Sequence, residues 1–242
     1  MVWLLASTAA WATEPSQIYQ QMRSQATLLA VNALLYFDAD PQVHPDERHL
    51  VRVNEAQKRL DAMALQLEPN MQVGDSLASL HAWLAELQAL PRRDAPRYPQ
   101  LLIGLLDTRL KLDQQLGEAY AQLESTPPVA RQLNQQSLTI GSLLLDAQAR
   151  SARLLGDHSL AYSEAELIAR DQVIQQGFTT LMAELPEHAK PLYKQRSAYR
   201  FVRERLLDRA PGRVTGSLER YLAGVLVALD DLAEAQGATP PL

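Results

Sequence analysis

Displacing the chain along itself by 115 to 117 residues brings its two halves into register. Gln17-Ile18, Gln20 and Gln21 fall on Gln132-Leu133, Gln135 and Gln136, and Leu28-Leu29 falls on Leu143-Leu144. Pro69 falls on Pro186, Ala82-Trp83 on Ala198-Tyr199, and Ala95-Pro96 on Ala210-Pro211. Leu102, Leu106, Leu116, Glu118 and Ala119 meet Leu218, Leu222, Leu232, Glu234 and Ala235. Single Leu or Gln matches come cheaply in a Leu-rich chain. A nearly constant offset that also aligns the prolines does not, and it points to one unit built twice, with a seam near Ser125 to Pro128. Accidental likeness of two amphipathic stretches is the competing account.

The repeated unit reads as helical. Only 3 Phe and 10 Gly occur in 242 residues, and strong helix formers fill the long segments. Apolar residues at helical spacing, broken by Pro and Gly, predict eight helices. They run from Ser16 to Phe37, Asp46 to Leu67, Asp75 to Leu90, Tyr98 to Glu124, Val129 to Leu155, Ser163 to Leu185, Glu187 to Asp208, and Thr215 to Gln236. Leu218, Leu222, Val225, Leu229 and Leu232 step by four and three, and so do Leu133, Ser137, Ile140, Leu144, Ala147, Ser151 and Leu154. That stepping belongs to a bundle core. Short connections favour antiparallel neighbours. The expected fold is all-α, two tandem up-down four-helix bundles at 13–126 and 127–242.

Residues 1–12 read as an export signal: an apolar run ends in Ala10-Trp11-Ala12, a small-x-small pattern with the cut after Ala12. A buried N-terminal helix is the alternative. No later run is long enough to span a bilayer, so no transmembrane anchor is expected after cleavage and the mature chain is expected in the periplasm or outside the cell. The absence of cysteine excludes disulfides, thiolate chemistry and covalently attached haem. A formal charge of −5 argues against general nucleic-acid binding, which needs a cationic footprint.

Few residues stand out chemically. The core stepping of the first helix gives Ile18, Met22, Gln25, Leu29, Asn32 and Tyr36, placing two amides where apolar side chains are expected. Gln25 and Asn32 are therefore candidate ligand residues, or polar residues that set helix register. Arg196, Arg200 and Arg203 share a face of the seventh helix and could meet an anionic partner; ordinary solvated arginines are the alternative. The string His44-Pro45-Asp46-Glu47-Arg48-His49 lacks the paired ligands of a helical metal motif, and Asp46 and Glu47 suit the N-terminus of the second helix. No metal site or cofactor is expected. There is no nucleophile elbow and no phosphate loop.

The repeated unit resembles the helical periplasmic sensor domain of type IV pilus chemoreceptors and of nitrate/nitrite sensor kinases. The likeness lies in Gln21-Met22-Arg23-Ser24-Gln25-Ala26 leading into an apolar first helix, a Leu-rich second helix ending near Leu67, Trp83 in the third, and a Leu-rich fourth ending in Tyr120. Arg23 stands for the arginine-rich box of that family's first helix, which adds it to the candidate ligand residues. The resemblance implies a sensor-like binding module. The expected function is accordingly an exported, non-enzymatic module for a small ligand or an envelope protein. A structural or chaperone-like envelope protein is the alternative, and a carboxylate- or metal-dependent enzyme a further one.

Overall fold

The computed structural model describes residues 14–40, 42, 44–123, 126–152, 162–209 and 216–237. The expected signal and its cleavage point lie outside the described residues, as do the predicted ends at Glu124 and Leu155 and the predicted start at Thr215. The described residues form eight α-helices and no strand: α1 Pro15–Tyr36, α2 Glu47–Ala64, α3 Met71–Ala89, α4 Tyr98–Ala121, α5 Pro128–Ser151, α6 Glu164–Glu184, α7 Ala189–Leu207 and α8 Ser217–Gly237.

The helix ends follow from local chemistry. The Asp46 carboxylate accepts the Arg48 N–H and caps α2. Ser163 and Glu166 form a reciprocal capping box on α6. Proline, whose missing N–H costs nothing at a helix start, opens α1 and α5. The third helix begins four residues earlier than expected because the Asn70 side chain accepts from both Gln72 and Val73. A 3₁₀ turn, Arg92–Arg97, leads into α4, and a shorter one, Pro186–His188, leads into α7. Neither was anticipated from the periodicity. No described helix is long and apolar enough to cross a membrane.

Helix α1 packs on α2 and on α4, with α3 leaning on α4, while α5 packs with α6 and α8, and α7 closes against α6 and α8. Helix α1 also packs on α5 and α8, so a single cluster of buried apolar side chains runs through the molecule. Full burial of each Leu or Ile in it contributes roughly 1.5–3 kcal/mol. The four-three stepping is visible as burial: Leu218, Leu222, Val225 and Leu229 are enclosed, and so are Leu133, Ser137, Ile140, Leu144 and Ala147. Gly141 allows α5 its close approach, since a Cβ there would stand 3.1 Å from Leu226 and 3.4 Å from Thr27.

Helix α1 is buried almost all round, and where it meets α5 and α8 the contacts turn polar. Gln17 Nε2 donates to the Asp230 carbonyl at 2.9 Å, Asn134 Nδ2 donates to Gln17 Oε1 at 3.2 Å, and the Ser24 and Ser137 hydroxyls lie 3.4 Å apart. Beside them the Asp230 carboxyl is enclosed, and its Oδ1 has no hydrogen-bond partner among the described residues. Burial pushes its pKa up to about 7, against the partial relief supplied by Ser24, Ser137 and Gln20.

Candidate functional site

A cleft of about 900 Å³ opens where the end of α1, the start of α2, the end of α5 and the start of α8 converge. Ionic and apolar side chains share its wall. Arg48 is held by Asp46 through Nε at 3.0 and 2.9 Å, and Arg52 of α2 pairs with the buried Glu219 of α8. Asp38 and Asp40 follow α1, each carboxylate accepting a backbone N–H two residues on, at 2.8 and 2.9 Å. Arg220 completes the ring from the first turn of α8, exposed to the cleft and with no carboxylate partner among the described residues.

His49 gives the cleft its direction. It lies on the inner face of α2, in line with Val53, Ala56 and Leu60, and is only 8% exposed. Its Nδ1 stands 2.8 Å from Asn32 Oδ1. Asn32 is itself oriented, because its Nδ2 donates to the Leu28 carbonyl at 2.8 Å and leaves only Oδ1 for the histidine. An oxygen acceptor at that distance requires a proton on Nδ1, so the neutral ring carries its lone pair on Nε2. Burial lowers the imidazole pKa, outweighing the upward pull of Glu219 and Asp46, while Arg52 and Arg48 add to the lowering. On the Nε2 side stands Gly216, where a Cβ would come within 2.9 Å of that nitrogen.

The three candidate residues of the first helix do not converge. Arg23 Nε donates to Asp113 Oδ1 of α4 at 2.8 Å, and the buried Arg109 shares that carboxylate at 3.8 Å while donating to Thr27 Oγ1 at 2.5 Å. Burial pulls the Arg109 pKa down, and Gly117 leaves room for the Arg23 guanidinium, 3.4 Å from a would-be Cβ. Gln25 is half-buried, away from the cleft lining. Asn32 alone reaches the cleft, one hydrogen bond behind its wall.

The arginines of α7 also separate. Arg203 forks onto Asp171 at 2.7 and 2.6 Å, Arg196 is half-buried, and Arg200 is exposed. Asp171 also accepts the Tyr199 hydroxyl at 2.8 Å. Despite burial, those bonds hold the carboxyl below its usual range, while burial first and the bond to Asp171 second push the Tyr199 phenol well up.

No protein family, curated protein or solved structure matches this chain significantly. The chemistry of the cleft must therefore be read from its own side chains. Among the described residues no three His, Asp or Glu side chains gather closely enough to hold a metal ion. The string around His49 does not mark it by motif, because it lacks the paired ligands of a helical metal site. The available signal was its place in the run His49, Val53, Ala56 and Leu60, a polar residue at a seam position like Asn32 opposite it.

Proposed function

We propose that this protein is an exported, sensor-like helical binding module, non-enzymatic, that takes a small polar ligand in the cleft between α1, α2, α5 and α8. The observation that carries the reading is a ligand-sized hollow whose wall combines paired ions with one buried, oriented histidine. Pockets for small molecules have this scale and this sparse, convergent set of polar groups. The likeness of the repeated unit to periplasmic sensor domains supports the same reading. Thermal-shift screening against small polar metabolites, followed by calorimetry on hits, is the test. At least one compound is expected to raise Tm in the wild type and to lose that effect in Arg220→Glu, which reverses the charge facing the cleft. Stabilisation by nothing, or by compounds indifferent to that substitution, would sink the proposal.

A protein partner in the envelope is the second reading, favoured by the outer face of α7 and α8. Phe201 is 72% exposed and packs against Tyr221 with ring centroids 4.8 Å apart and the rings tilted by 54°, and Tyr193 of α7 is exposed as well. Exposed aromatic side chains of this kind suit a docking face, including that of a structural or chaperone-like protein. Cross-linking in the envelope from position 201 distinguishes this reading from the first.

A further inference from the structure

Resting on the reading of the cleft as a ligand site, we infer that it takes a small amino-acid zwitterion, whose ammonium donates to His49 Nε2 and whose carboxylate meets Arg220. The orientation of the histidine is set from behind, through Leu28, Asn32 and then Nδ1, so Nε2 faces forward as an acceptor. Nε2 makes no hydrogen bond to any described residue and is not sealed from solvent, so it is the edge by which an otherwise buried ring meets the cleft. An acceptor already oriented toward the cleft can take a ligand N–H in place of water without rearranging the ring. The space before it is kept clear by Gly216, where any side chain would crowd the ring.

The carboxylate end follows from the charge pattern. Arg48 and Arg52 are engaged with Asp46 and Glu219, which leaves Arg220, among the described residues of the cleft, as the guanidinium for an incoming anion. Arg220 and Gly216 lie one helical turn apart, and the Arg220 N–H donates to the Gly216 carbonyl at 3.0 Å, so they share one face of α8. The anion and donor positions are thus neighbours. Asp38 and Asp40 on the same wall favour a cationic donor over a hydroxyl, because a carboxylate stabilises an ammonium and repels a second anion. A ligand with both charges and little bulk satisfies all of these groups together.

Titration calorimetry with glycine, alanine, serine and glutamine, against acetate and ethanolamine that each carry one of the two charges, tests the assignment. At least one amino acid should bind, with acetate and ethanolamine weaker by about tenfold or more. Gly216→Ala should lose that affinity by a similar factor with Tm held near wild type, and Arg220→Ala should lose it too. Independently of any ligand, ¹⁵N NMR of the His49 ring should show protonated Nδ1 and bare Nε2, with the Nε2 signal moving when the amino acid is added. An Nε2–H tautomer, equal binding of acetate, or Gly216→Ala binding like wild type overturns the inference. If no amino acid binds but another compound does so in an Arg220-dependent manner, the zwitterion is wrong and the cleft remains a binding site. If nothing binds in the cleft, both fail.

Discussion

Just past α1 the carbonyls of Asp38 and Asp40 accept from Arg92, at 2.7 Å each, whereas in the second half the carbonyls of Leu206 and Asp208, at the end of α7, accept from Arg150 at 2.9 and 2.5 Å. The direction of the tie is reversed. Arg92 lies after α3 and reaches to the end of α1, while Arg150 lies on α5, which the sequence offset sets against α1, and reaches to the end of α7, which that offset sets against α3. With Arg150 comes Asp146, whose carboxylate takes Arg150 Nε at 2.8 Å and the Tyr162 N–H at 2.9 Å. The position of Asn32 is taken in the second half by buried Ala147. The end of α1 is therefore met by an amide-oriented histidine, and the end of α5, on the other side of the same cleft, by an ion pair.

Packing also differs between the halves. Tyr199 is fully enclosed between α6 and α7, but Trp83, on which the sequence offset places it, is half-buried and leans on α4, its indole edge 2.6 Å from a would-be Cβ at Gly104. Helices α6 and α7 pack closely, while α2 and α3 meet along a polar edge where His81 faces Asp61 at 3.1 Å and Gln88 donates to Asn54 at 3.2 Å. A glycine facing an aromatic ring redirects the ring, and the helix that carries it goes too.

The largest test of this asymmetry is a core truncation in each half. Phe178→Ala should cost about 3–5 kcal/mol in urea unfolding, since it empties a fully buried site between close-packed helices. Leu60→Ala on α2 should cost less, about 2–3 kcal/mol, because a looser neighbourhood can relax into the space. Equal losses would remove the claimed difference in packing.

A second test addresses the seam that belongs to neither half. The folded pKa of Asp230 stands above its unfolded value, so the native state holds the proton more tightly. As pH rises from about 4 to about 7 the unfolded chain ionises first and stability falls, by at most about 1.4 kcal/mol per pH unit, then stays low above that window. Asp230→Asn should flatten this decline and raise stability near pH 8. A pH profile unchanged by the substitution would show that Asp230 ionises normally in the folded protein.

Arginine removal ranks next. Arg150→Ala leaves the buried Asp146, whose pKa burial already raises, without its cation and should cost about 2 kcal/mol. Arg92→Ala loses hydrogen bonds to two carbonyls that water can replace, about 1 kcal/mol. Smallest is the pair Tyr199→Phe and Trp83→Phe. The first leaves Asp171 with Arg203 but without the buried hydroxyl, about 1 kcal/mol, and the second mainly deletes the 3.1 Å Nε1–Thr108 bond, about 0.5 kcal/mol on that account. Reversal of either order would mean that the repeat partners are packed alike.

Much of this architecture was readable before any coordinates. The all-α class and the eight helices follow from periodicity and breakers, and the Ser163 and Asp46 starts from capping chemistry. Asn32 drew attention because an amide at a bundle seam must find a partner. What could not be read was which partner: a seam position says that a side chain points inward, not whether it meets His49, Asp113 or a backbone carbonyl.

Local sequence thus determined the helices and their inward faces, because hydrogen bonds within a helix and the spacing of apolar residues are short-range properties. Only the tertiary structure decided that Arg23 answers to Asp113, that Asp230 is buried at the junction of α1, α5 and α8, and that His49, Gly216 and Arg220 surround one cleft. Those residues are brought together from separate helices by how the helices cross. The crossing depends on the summed packing of many side chains at once, which no single stretch of chain encodes.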